Sequence, residues 1–272
     1  MVCHRSSGFC GSADRSVVAL LISVAVWASS IGGDATPNRR WLGNGMMSPA
    51  TRISSTMISN AITIDQSVVP GKTCDTCAIN NTYSWSHTVA GADRLLVVAL
   101  TSRTIGVSHW SVSVDGSLIT QARDADSANG SCAELWYQNN PTASIHTISI
   151  MSPVTARGHA CSFSFNGVDT TGPIVTTTSN TGTATPATLV IPSSANNWVM
   201  DAVFARVSGA TISAFANQTE LYNLGLVGGP NNQRGTGGAS YKVSSGGSPS
   251  MSWTLTGQDE WVQVAVDMKV KP

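Results

Sequence analysis

Charge is scarce in this sequence. Charged residues make up 11% of the chain, against about 25% in an average soluble domain, and the formal net charge is zero. The few Lys and Arg are scattered, which excludes the clustered basic surface that phosphate backbones require, so no nucleic-acid partner is expected. No stretch holds a 3.6-residue apolar period for three turns, which argues against a helical fold. The strings G-x-S-x-G, H-E-x-x-H, the P-loop and G-x-G-x-x-G are all missing, so no familiar motif marks an enzyme. Cys74 and Cys77 form a Cys-x-x-Cys pair without a second close pair or a His at ligand spacing, which speaks against zinc. "AINNTYSWSHTV" follows the pair as turn then strand, where a thioredoxin-type site needs a helix.

One long apolar run is present. Arg5 and Arg15 precede Val17–Ala28, and small residues follow at Ala28, Ser29 and Ser30. That order predicts a secretory leader over residues 1–30 and an extracellular or cell-surface location. An uncleaved anchor over Ser16–Gly33, or a later start at Met46 or Met47, are the alternatives. Cys3 and Cys10 would leave with the leader, and Cys74, Cys77, Cys132 and Cys161 remain as disulfide candidates. Three pairings are open to them. Residues 31–58 lack periodicity and read as a linker.

From about Ser59 onward, short runs rich in Val, Ile, Thr and aromatics alternate with turn residues every eight to twelve positions, an all-β pattern. "YSWSHTV" sets Tyr83, Trp85, His87 and Val89 on one face, "HWSVSV" sets Trp110, Val112 and Val114 on one face, and Asp115-Gly116 supplies a tight turn. The chain also repeats itself. "DRLLVVALTSR" matches "NNWVMDAVFAR", "AELWYQNNP" matches "GASYKVSSG", "HTISI" matches "SMSWTL", and "HACSFSF" matches "EWVQVAV". The pairs Tyr137/Tyr241, Ile150/Leu255 and Phe163/Val264 lie 104, 105 and 101 positions apart. The expectation is two homologous jelly-roll-like antiparallel β-sandwich halves, 59–170 and 171–272. "LLVVAL" (Leu95 to Leu100) is apolar on both strand faces, which predicts that the halves pack together through this strand and its counterpart.

The segments "WSHTVAGADRLLVVAL", "DGSLITQARDADSANGSCAELWYQNNP", "HTISI", "FNGVD" and "WVQVAVDMKV" together resemble a widespread two-part module of bacterial secreted and surface proteins, also met in some phage structural proteins. The resemblance spans residues 60–271 and implies a β-sandwich without an assured activity. It transfers no catalytic or binding residue.

Three constellations carry candidate chemistry. If Tyr137 faces the core, then Trp136 faces the other way with Glu134 and Gln138, and Trp261 turns outward with Gln263 and Asp267. A flat aromatic beside hydrogen-bonding groups is how sugar rings are held, so these residues are the candidate glycan-binding set; burial under a second layer is the plain alternative. Asp124, Asp126 and Asn129 in "DADSANGS" are hard ligands suited to calcium, the one cofactor considered, against a plain solvated hairpin loop. Asp259-Glu260 is a carboxylate pair beside Trp261, but adjacent strand residues point to opposite faces, poorly arranged for glycoside hydrolysis. His87 and His159 share faces with apolar residues and read as satisfied core histidines. The leading expectation is an exported, non-enzymatic protein that adheres or binds glycan. The alternatives are a structural or virion-associated sandwich acting through self-assembly, and a polysaccharide hydrolase or lyase. A face assignment with Cys132 outward and Cys161 inward strains a bridge between them.

Overall fold

The computed structural model of the chain describes residues 61–77, 80–104, 110–207, 211–226 and 234–272, without the side chains at 66–70, 72, 74–76, 104, 207, 258 and 259. The expected leader and linker lie outside the described residues. Among the described residues there are seventeen elements, all strands, and no helix.

The first nine strands are β1 (Thr63–Cys77), β2 (Thr82–Thr88), β3 (Leu95–Thr104), β4 (Ser111–Val114), β5 (Ser117–Leu118), β6 (Thr120–Asp126), β7 (Ser131–Asn139), β8 (Ile145–Met151) and β9 (Ala156–Asn166). They form one sheet of order β1-β9-β3-β7-β6 and a second of order β2-β8-β4-β5. The remaining strands are β10 (Ile174–Gly182), β11 (Ala187–Val190), β12 (Ser193–Val207), β13 (Ile212–Ala214), β14 (Thr219–Gly225), β15 (Thr236–Gly247), β16 (Ser250–Leu255) and β17 (Gln258–Met268). Their sheets run β10-β17-β12-β15-β14 and β11-β16-β13. Matching the strands in chain order makes the two five-stranded sheets identical in topology. It makes the two smaller sheets identical except for β5. Each half is a jelly-roll sandwich, and the second lacks only the short outermost strand of the first.

The five-stranded sheets are the inner layers. Leu95, Val97 and Ala99 of β3 and Phe163 and Phe165 of β9 share one core with Trp198, Met200, Ala202 and Phe204 of β12 and Val262, Val264 and Val266 of β17. The alternate residues Leu96, Val98 and Leu100 point the other way, into a core closed by Val112, Val114, Ile148 and Ile150 of the small sheet. In the second half Val203 packs with Ile212, Trp253 and Trp261, and Val199 with Leu189, Ile191 and Met251. The result is four stacked sheets. Both faces of β3 are covered, which is why its sequence does not alternate. Each of its fully buried Leu and Val side chains contributes roughly 1.5–3 kcal/mol by leaving water.

Close approach between the inner sheets is set by small residues. A Cβ on Gly237 of β15 would run into Thr101 Oγ1 and the His159 ring of the opposite half. Beside it the Tyr222 hydroxyl lies 3.2 Å from Thr101 Oγ1. The link from β9 to β10 is pinned as well. Val168 bridges Val270, Lys271 N donates to Gly167 O at 2.9 Å, and the Lys269 ammonium lies 2.7 Å from Asp169. Thr56–Pro272 accordingly clusters as one compact unit.

One predicted turn holds and one repeat match shifts. The Asp115-Gly116 turn has φ of 51° and 81°, both positive as a type I′ hairpin demands. The fourth repeat match, however, is displaced. Register sets Phe163 opposite Val97 and Val266 opposite Met200, so Val266 rather than Val264 takes the place of Phe163. A two-residue displacement keeps every side chain on its face, so alternation alone could not detect it.

Candidate functional site

The candidate aromatic platform is interior. Glu134 is fully buried between the two sheets of the first half, where its carboxylate accepts from Trp136 Nε1 at 2.7 Å, Trp110 N at 3.2 Å and Gln121 Nε2 at 3.3 Å. Trp136 packs on the core of that sandwich. Trp261 is 4% exposed and donates Nε1 to Ala184 O at 2.7 Å, while Gln263 is fully buried. The faces were assigned correctly, but each half's own second sheet covers them. Trp136 and Trp261 sit in the cores of different halves and share no groove. Asp267, expected outward, is also buried and accepts from Ser193 Oγ at 2.6 Å and Asn197 Nδ2 at 2.9 Å.

Gln263 belongs to a buried polar cluster instead. Asp201 of β12 is fully buried and accepts from Ser240 Oγ at 2.6 Å, Ser240 N at 3.0 Å, Trp253 Nε1 at 2.8 Å and Gln263 Nε2 at 2.6 Å. Burial pushes its carboxyl up to about 6, although these four donors pull the other way.

The first half has a matching buried polar chain with one direction of donation. Trp85 Nε1, a donor only, gives to Ser162 Oγ at 2.9 Å. Ser162 therefore turns its hydroxyl proton toward His87 Nδ1 at 2.9 Å. His87 Nε2–H then gives to Ser164 Oγ at 3.1 Å, and Ser164 gives to Asp65 Oδ2 at 3.0 Å. His87 is thus a neutral Nε2–H imidazole, and burial lowers it to about 4. It is a satisfied core histidine rather than a general base.

The orientation of its loop does not favour the calcium reading. Asp124 and Asp126 lie in β6 itself, cross-strand from Glu134 and Cys132. Asn129 sits in the β6–β7 turn and points its amide N–H at the opposite half, where Nδ2 gives to Glu260 Oε2 at 2.7 Å. Ser127 Oγ and Ser131 Oγ give to Glu260 Oε1 at 2.8 and 2.7 Å, and Arg206 stands 3.7 Å away. The loop presents donors to a carboxylate, the reverse of a cation site. Among the described residues no group of three His, Cys, Asp or Glu is placed to hold a metal. Burial raises Glu260, but its three donors and Arg206 outweigh that and hold it below the usual carboxylate range. Glu260 is therefore an inter-half latch, while the side chain of its neighbour Asp259 lies outside the described residues.

The cysteine candidates divide. Cys132 and Cys161 are free thiols and do not pair with each other. Cys161 belongs to the inter-half core, and Cys132 donates to Glu134 on the opposite face of the same sheet. Burial pushes both thiols up, Cys161 to about 12. Cys77 is buried; the side chain of Cys74 lies outside the described residues, and so does any pairing between them.

Of the expected binding residues, Gln138 lines an open cleft among the described residues. Its walls come from the end of β7 (Tyr137, Gln138, Asn139), from Leu118 to Thr120, and from Thr171 to Ile174 in the inter-half link, around about 350 Å³. Gln138 Oε1 is buried and has no hydrogen-bond partner. A second cleft of about 450 Å³ opens on the far side of Gly172, with Val175, Asn197 and Lys269 in its wall. Sequence reasoning missed this site because it is built by the link crossing the end of a strand, which no local pattern encodes.

No family model, curated protein or solved structure matches the chain. The resemblance to secreted sandwich modules therefore lends no residue role to the clefts.

Proposed function

We propose that the chain is an exported, non-catalytic surface protein that binds a saccharide in the cleft beneath the inter-half link. The observation that carries this reading is Gln138, whose Oε1 is a buried side-chain acceptor in the cleft wall without a hydrogen-bond partner. A buried polar atom without a partner costs about 1–3 kcal/mol unless something meets it. A sugar hydroxyl is the donor that suits the site, with the Tyr137 ring and the amide and hydroxyl groups of Asn139, Thr120 and Thr171 beside it. The leader-like Val17–Ala28 run supports export. Glycan-array screening followed by titration calorimetry tests the reading. A hit whose affinity falls roughly tenfold in Gln138→Ala, and is unchanged in Trp136→Phe, supports it. No hit across neutral and acidic glycans, or equal loss in both variants, refutes it.

A second reading, self-assembly, is favoured by the side chains flanking the clefts. Leu118 is 76% exposed and Val175 55% exposed. A defined oligomer by light scattering that dissolves in Leu118→Ser would favour this reading over the first.

A further inference from the structure

The turn that grips Glu260 contains Asn129-Gly130, the dipeptide most prone to cyclise and lose ammonia. We propose that Asn129 is a self-modification site whose reaction is gated by the Glu260 latch and, once complete, breaks that latch. In this chemistry the Gly130 backbone nitrogen attacks Asn129 Cγ. The new N–C bond closes a succinimide, the side-chain nitrogen leaves as ammonia, and water then opens the ring to aspartate or isoaspartate. No oxidant or other co-reactant is required.

The folded geometry opposes both parts of the step. Gly130 N–H is donated to Ser127 O at 3.1 Å, so the nucleophile is tied into its own turn. The leaving nitrogen, Asn129 Nδ2, is held 2.7 Å from Glu260 Oε2 on the other half of the molecule. Gly130 sits at φ +86°, the left-handed position that closes this three-residue hairpin, and Ser127 N reaches Ser131 O at 2.8 Å across it. Cyclisation therefore waits for the turn to swing away from Glu260.

The product cannot swing back. The position of the donating amide is taken by a second carboxylate facing Glu260 at hydrogen-bond distance, with no proton to share. Like charges at that range repel, and the two carboxylates must then share the hydroxyl protons of Ser127 and Ser131. Each opening of the inter-half contact thus carries a chance of becoming permanent, and the modified fraction counts openings over the life of the protein. Asn166-Gly167, the other described Asn-Gly pair, makes no contact with Glu260 and serves as an internal control.

The full chain is incubated at mildly alkaline pH in ¹⁸O-water, and peptides are mapped by mass spectrometry. The expected result is slow conversion at Asn129, accelerated in Glu260→Ala by roughly tenfold to a hundredfold, the worth of one charge-assisted hydrogen bond. Conversion at Asn166 should be the same in both proteins. Asn129→Asp, at an exposed position of the turn, should raise amide hydrogen exchange of residues 127–131, and Asn129→Gln should not. Equal rates at Asn129 with and without Glu260, or unchanged exchange in Asn129→Asp, overturns the proposal.

Discussion

Phe163→Ala removes a side chain that belongs to the first half in sequence and to both halves in space. Phe163 is fully buried on β9 beside Val97, and its ring stacks on Tyr222 of the second half with centroids 6.2 Å apart and planes 14° from parallel. Truncating a buried Phe costs about 3–5 kcal/mol. The aromatic pair accounts for about 0.5–1.5 kcal/mol beyond area burial. If the inner sheets form one cooperative core, that loss falls on the whole molecule. Amides of Met200 and Ala202 in β12 and Val264 in β17 should then exchange faster by roughly two to four orders of magnitude, the factor equivalent to that loss. Those in β3 and β9 should accelerate equally. Native-state hydrogen exchange read by mass spectrometry resolves the two halves. Acceleration confined to β3 and β9, with β12 and β17 unmoved, would refute the single-core reasoning.

Three further outcomes follow from the same packing. Gly237→Val forces a side chain against Thr101 Oγ1 and His159 across the inter-half contact, and overpacking there should cost about 1–3 kcal/mol in chemical denaturation. His87 falls from 6.5 when unfolded to about 4 when folded, so the unfolded state binds the extra proton and acidification from pH 6.5 to 4 removes stability; His87→Gln should lose less than wild type over that window. Asp201 has the opposite sign, rising from 3.8 to about 6, so the folded state takes up the proton and gains stability as pH falls from 6 to 4; Asp201→Asn should lose that gain and show a steeper acid decline in melting temperature.

Much of this architecture was legible in the sequence, and the limits are physical. Leu95 to Leu100 could be read as covered on both sides because alternation fails only where both faces are dry. The same alternation placed Cys132 and Cys161 on opposite faces of one sheet, where the structure leaves both unpaired. What lies against a face is a different matter. Trp136, Trp261 and Gln263 were placed on the right side of their strands, but period two cannot distinguish water from a second sheet. Asn129 and Glu260 are 131 positions apart and meet only because the two inner sheets stack, so the donors of the β6–β7 turn read equally well as calcium ligands. The Gln138 cleft depends on where the link crosses, and that is fixed by tertiary contacts such as Lys269–Asp169 rather than by any local motif.

The central claim is that two copies of one jelly roll share an indivisible inner core. Limited proteolysis within Thr170–Gly172, followed by size-exclusion chromatography and separation of the fragments, tests it directly. The nicked halves should co-elute as one particle, held by the Val168–Val270 bridge and the stacked sheets, and neither fragment should stay folded once separated. Two fragments that elute apart, each with native strand content and its own cooperative melt, would contradict it.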